Sequence, residues 1–218
     1  VASTSDVINL LKSQVGYHEG RDPDGTWNNY QKYSPNVPGL EWSQNQAWCA
    51  TFASWIYINA GVQAGSFPIT ASVGEAMQWY KEHNRWSEYP SIGGQIIFGE
   101  DKHTGIVTGF DSTYVYTIEG NTNVNGSANG DGVYARTRVR RDPYVTGYGL
   151  PTFTTESNGD LVMAVNNQDA RVLWSYKGDG EKFDSYAYLL GTWKNVDQLI
   201  KQVTDLTAKV DALSAKIK

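Results

Sequence analysis

At Gln95 the apolar pattern of this chain changes period, and that change restricts its fold more than any other feature. Upstream, apolar residues recur at helical spacing. From Gln95 onward "QIIFG", "TGIVTGF", "STYVYTIEGN" and "GVYARTRVR" are β-branched or aromatic runs separated by Gly, Asn and Asp, which reads as consecutive strands. Helices followed by an antiparallel sheet make an α+β domain, expected to span residues 1–152.

Three helices are expected before the switch. Val7, Leu10, Leu11 and Val15 follow helical spacing, with Ser5 or Asp6 as the N-cap and Gly16 as the stop. The segment from Gly20 to Trp42 is polar, rich in Gly, Pro and Asn, and reads as loop. A second helix is expected over about 48–60, with Ser43 and Gln46 in capping-box spacing and Gly61 closing it; a third runs over about 72–81.

Past the sheet, "DLVMAV" and "ARVLWSY" flank "NNQD" as a hairpin within a linker region, residues 153–193. Residues 194–218 carry Val196, Val203, Val210 and Ile217 at seven-residue intervals, with Leu199, Leu206 and Leu213 three places after the valines. β-branched residues at a and Leu at d predict a coiled-coil helix and self-association, as a dimer or a trimer, through residues 195–218. An amphipathic helix folded back on its own domain is the other reading of the same stripe.

Charge and hydropathy narrow the partners. With 18 basic against 23 acidic side chains the net charge is −5, which supplies no counterion-release drive toward nucleic acid. No apolar run approaches the roughly 18 residues that cross a bilayer, so membrane insertion is not expected. The N-terminal stretch "VASTSDVINLLKSQVGYHEG" has no basic patch followed by an apolar run, so no signal peptide is expected.

The single cysteine, Cys49, excludes an internal disulfide framework and raises a different question. A lone Cys is commonly a small buried hydrophobe. This one falls at an expected helix N-terminus, where free backbone N–H groups and the helix dipole favour the thiolate, and the same groups suit an oxyanion. A nucleophile needs a base. Of the three histidines, His18 lies in a polar loop and His83 at a helix C-terminus, whereas His103 opens a strand at the sheet margin. If Asp111 to Thr113 form a three-residue loop, His103 faces Asn121 and Gly105 faces Glu119, which puts His103, Glu119 and Asn121 on one face. A carboxylate or amide on one imidazole nitrogen would orient the other toward the thiol.

The blocks "NQAWCATFASWIYINAG", "GGQIIFGEDKHTGIVTGF" and "YTIEGNTN" resemble the CHAP domain, the cysteine- and histidine-dependent amidohydrolase/peptidase family of papain-like cell-wall hydrolases, in the arrangement found in bacteriophage endolysins. The resemblance covers roughly residues 5–151. It implies hydrolysis of an amide bond in bacterial peptidoglycan, by an amidase or an endopeptidase. Cys49 would be the nucleophile, His103 the general base, Glu119 the orienting acid and Asn121 the polar residue beside it. It also implies an enzyme made in the host cytoplasm that acts on the wall after release. Trp27, Trp42 and Trp48 are the expected substrate-binding aromatics.

The sequence departs from the calcium-binding members in having "LEWSQNQAW" before the cysteine, and the two Asp of "RDPDG" fall short of a calcium shell, so no metal and no cofactor are expected. Two other readings stand beside the hydrolase. One is a non-catalytic wall-binding or virion tail module made multivalent by the coil. The other is a metallopeptidase using His18, His83 and His103, which lack ligand spacing such as H-x-x-x-H.

Overall fold

The structure, a computed structural model, describes residues 1–153. The expected hairpin and coiled-coil helix of residues 154–218 lie outside the described residues. The first helix, α1 (Thr4–Gln14), is capped by Ser3, whose hydroxyl accepts from the Asp6 N–H while the Asp6 carboxylate accepts from the Ser3 N–H. Ser5 and Asp6, expected as caps, therefore sit inside the helix. The reciprocal bond needs a three-residue spacing, and Ser3 with Asp6 has it.

Helix α2 (Cys49–Ala60) closes on Gly61, whose φ of 78° lets the Val62 N–H turn back to the Tyr57 carbonyl. Its start corrects the expected capping box. Ser43 ends a 3-10 turn and donates its hydroxyl to the Leu40 carbonyl, and Trp48 is the N-cap with no side-chain bond to the first turn. By contrast, Ser72 caps α3 (Val73–Glu82) by accepting from the Glu75 N–H, and His83 stands at its C-cap as expected.

Six strands follow: β1 (Trp86–Ser87), β2 (Gln95–Phe98), β3 (His103–Phe110), β4 (Tyr114–Thr122), β5 (Gly132–Val139) and β6 (Val145–Gly149). They pair antiparallel in the order β1-β6-β2-β3-β4-β5. Alternation along the central strands splits the core. Ile106 and Ile118 join Phe52, Ile56 and Tyr57 of α2, while Val107 and Val115 join Ile96, Phe98 and Tyr148 in a second cluster.

The pairing of β3 with β4 reaches the expected register by an unexpected route. Phe110 faces Val115 and Gly109 faces Tyr116, one place off a directly closed three-residue loop. A bulge between Val107 and Gly109 then cancels that offset, so Val107 faces Thr117 and Ile106 faces Ile118. Two one-residue shifts sum to the register expected from the loop alone.

Helix α2 lies tight on β4 because Gly120 has no side chain. A Cβ there would stand 2.7 Å from Phe52 Cγ and 2.7 Å from Trp48 Cζ3, both on rings packed in the core. Gly120→Ala is therefore expected to lower unfolding free energy by about 1–3 kcal/mol, because neither ring is a flexible chain end that can yield. Denaturant titration checks this, and a midpoint equal to that of the wild type would show that α2 can move away at no cost.

Candidate active site

Cys49 is the first residue of α2, and it packs with Ala50, Val73 and Ile97. Because α2 has no side-chain cap, the N–H groups of its first turn are left for another acceptor. His103 is the first residue of β3 and only 1% exposed. Its Nε2 lies 2.9 Å from Oε2 of Glu119, which is 0% exposed on β4. Glu119 can sit there because β3 has Gly105 opposite: a Cβ at Gly105 would stand 2.5 Å from Glu119 Cγ.

The imidazole is held between two groups. Burial pushes its pKa down, but hydrogen-bonding and charge interactions with Cys49 and Glu119 pull it up to about 9. Nδ1 forms no hydrogen bond among the described residues, although Cys49 is close enough to raise the pKa of the ring. Catalytic contacts are often long before substrate binds. For Glu119, burial raises the pKa, and the bonds from His103 and Arg138 overcome it, down to about 2. An ionised carboxylate only accepts, so Nε2 carries a proton and donates it to Oε2, leaving Nδ1 for the thiol.

Arg138 was not anticipated. Its Nε donates to Glu119 Oε1 at 2.9 Å and its Nη2 donates to Oε2, while the Thr117 hydroxyl donates to Oε1 at 2.6 Å. Phe98, directly opposite His103 across β2 and β3, stacks on the imidazole with ring centroids 5.9 Å apart. No local signal marks Arg138 among the arginines of "ARTRVRR"; its place depends on how β5 pairs with β4.

Asn121 forms no bond to the ring. It is buried, but neither side-chain atom has a hydrogen-bond partner, so it does not hold His103. The β4–β5 register shifts between Glu119 and Thr122, and Asn121 within that irregularity takes a φ of 54°.

The three tryptophans separate. Trp48 is 0% exposed, stacked on Tyr33, and donates its indole N–H to Glu19 Oε2 at 2.6 Å. It cannot touch substrate, which corrects that expectation: its indole is core and its one polar atom is satisfied. Trp42 is 71% exposed on the 3-10 turn Glu41–Ser43. Trp27 lines a cavity of about 400 Å³ together with Glu19, Asn29, Asn123, Asn129 and Asp131. Its lining includes none of Cys49, His103 or Glu119, but two bonds tie its wall to their chain neighbours. Glu19 holds the indole of Trp48, next to Cys49, and the N–H of Gly130 in the cavity wall donates to the Asn121 carbonyl.

Among the described residues no group of three or more His, Cys, Asp or Glu is placed to hold a metal ion. His18 pairs with Asp131 at 2.8 Å and His83 binds the Trp79 carbonyl, so neither joins His103 in a cluster. Asp22 and Asp24 of the "RDPDG" loop accept from Asn28 and Thr26 within their own loop.

Compared with known proteins, residues 41–121 match the family model described as CHAP domain. That segment includes Cys49, His103, Glu119 and Asn121. No curated protein and no solved structure matches the chain.

Proposed function

From the CHAP domain carried by residues 41–121, a domain class of amidase and peptidase hydrolases acting on peptidoglycan, we propose that this protein cleaves an amide bond of the bacterial cell wall with Cys49 as nucleophile. The observation that carries the reading is the buried line from Cys49 through His103 to Glu119, with an uncapped helix N-terminus at the thiol.

With the thiol proton held on His103, whose pKa is raised to about 9, Cys49 reacts as the thiolate of a thiolate–imidazolium pair and attacks the carbonyl carbon. The N–H groups of the first turn of α2 hold the oxyanion. His103 returns the proton to the leaving nitrogen, an amine departs, and a thioester remains on Cys49. Water, deprotonated by His103, attacks the thioester to give a carboxylate and the free thiol. Glu119 keeps the ring oriented throughout. The cavity beside Trp48, lined by amides, carboxylates and one indole, suits an extended polar chain such as a peptide stem.

In the same reading the protein serves as a lysin of the endolysin kind, and the heptads of residues 195–218 join copies so that several domains engage one wall polymer. The bond cut is either the one that joins the first amino acid to the sugar or a peptide bond within the stem or bridge.

The test is to incubate purified peptidoglycan with the full chain and weigh the released fragments by mass spectrometry. Each cut is expected to create one new amine and one new carboxylate, and the fragment masses identify the bond. New reducing sugar ends without new amines would instead mark a glycosidase. Sedimentation with the wall and no fragments would mark a binding module.

A further inference from the structure

Glu119 has more hydrogen-bond donors than a ring-orienting carboxylate needs. It receives bonds from His103, Thr117 and two nitrogens of Arg138, which fills the roughly four acceptor positions of its two oxygens. Arg138 is fixed in turn. Its guanidinium lies 4.9 Å over the Phe98 ring, and its remaining donors reach the Gly126 carbonyl at 3.3 and 3.4 Å. Phe98 is also the ring stacked on His103, so imidazole, phenyl, guanidinium and carboxylate close a circuit in which no member can rotate alone.

Charge gives the circuit a purpose beyond packing. A thiolate, an imidazolium and a carboxylate together carry one surplus negative charge, and here all three would be buried. An isolated buried carboxylate relieves such a surplus by taking a proton. A protonated Glu119 could become a donor toward Nε2, and His103 would lose the acceptor that fixes its tautomer. The guanidinium brings the sum to zero, cannot give up its own proton, and matches the carboxylate fork with two parallel bonds.

We propose that Arg138 is a positioning residue of the reaction: it keeps Glu119 ionised and in the one rotation that leaves Oε2 on His103 Nε2. This rests on the thiol hydrolysis proposed above. Burial alone would drive the Glu119 carboxyl up, and the bonds from His103 and Arg138 are what hold it near 2.

The test uses the full chain with Arg138→Met and Arg138→Lys, and two independent readouts. The first is the pH dependence of kcat and KM on soluble wall fragments. The second is the titration of the Glu119 carboxyl followed by its carbon-13 resonance, assigned with Glu119→Gln. For Arg138→Met, kcat is expected to fall about 10- to 100-fold, as for groups that orient a catalytic residue from behind, with KM changed far less. The acid limb of kcat should move to higher pH, and the Glu119 midpoint should rise toward the free value of about 4. Arg138→Lys keeps the charge with fewer matched donors, and should fall between Met and wild type in both readouts. A wild-type kcat profile together with an unmoved Glu119 midpoint overturns the proposal. So does loss of fold in both variants, which would make Arg138 a structural residue. If the wild type releases nothing from the wall, the hydrolase reading fails and the role in the reaction falls with it. The titration separately decides whether Arg138 keeps Glu119 ionised: a raised midpoint in Arg138→Met says that it does, an unmoved one that it does not.

Discussion

Cys49→Ala is expected to leave the fold intact, to retain wall binding, and to lower amide cleavage by about 10⁴-fold or more, the scale seen when a covalent nucleophile is removed. The fold should survive because Cys49 packs at the start of α2 against Ala50, Val73 and Ile97, and Ala fills that space save for one sulfur. Among the described residues the change leaves no formed hydrogen bond broken at His103 Nδ1, which has none. What disappears is the atom that attacks the carbonyl, and among the described residues no other side chain is bonded to His103 Nδ1. Mass analysis of wall fragments from the two proteins, beside a sedimentation assay, reads both effects. Undiminished release by Cys49→Ala would make the residue a structural cysteine and end the thiol mechanism.

Glu119→Gln tests the opposite end of the line and should cost both rate and stability. The amide has the size of the carboxylate but lacks its charge, and it brings an NH₂ donor into a place already crowded with donors from His103, Thr117 and Arg138. A guanidinium is left without its counter-ion inside the protein, a loss typically of about 3–5 kcal/mol. Cleavage should fall by roughly 10²- to 10⁴-fold, because the imidazole loses its preferred tautomer.

The substitution also changes how stability depends on pH. In the wild type, burial and then the His103 and Arg138 bonds leave Glu119 at about 2 against an ordinary 4.5, so its contribution is complete above 4.5 and is lost as pH falls toward 2. His103, at about 9 against an ordinary 6.5, contributes fully below 6.5 and loses that contribution as pH rises through 9. The pair therefore stabilises the wild type most between 4.5 and 6.5. Glu119→Gln should flatten both edges, and denaturant midpoints measured across pH check it. Parallel curves for the two proteins would show that Glu119 titrates no differently when folded.

Arg138 and Asn121 show where reading along the chain stops being informative. The β4–β5 ladder slips between Glu119 and Thr122, and Asn121 within that slip is buried with no hydrogen-bond partner for its amide. Two of the expected roles also depended on exposure. Trp27 and Trp48 look alike as letters, yet one borders an open cavity and the other is sealed against Tyr33 with its indole bonded to Glu19. The position of Cys49 at a helix start was legible, but the absence of a cap there was not, since Ser43 turned to the Leu40 carbonyl instead.

By itself the sequence determined what local chemistry dictates: three helices from apolar spacing and their Gly or Ser stops, a run of strands from Gln95, and a cysteine and a histidine at element starts. Periodicity and turn residues act over a few positions, so they can be read in order. Tertiary structure decided which side chains meet. Two compensating shifts brought Glu119 opposite Gly105 and onto His103, another put Asn121 at an irregularity of β4, and the β4–β5 pairing delivered Arg138 to the carboxylate. Each such contact joins residues far apart in the chain, and a shift of one residue reverses the face on which a side chain stands.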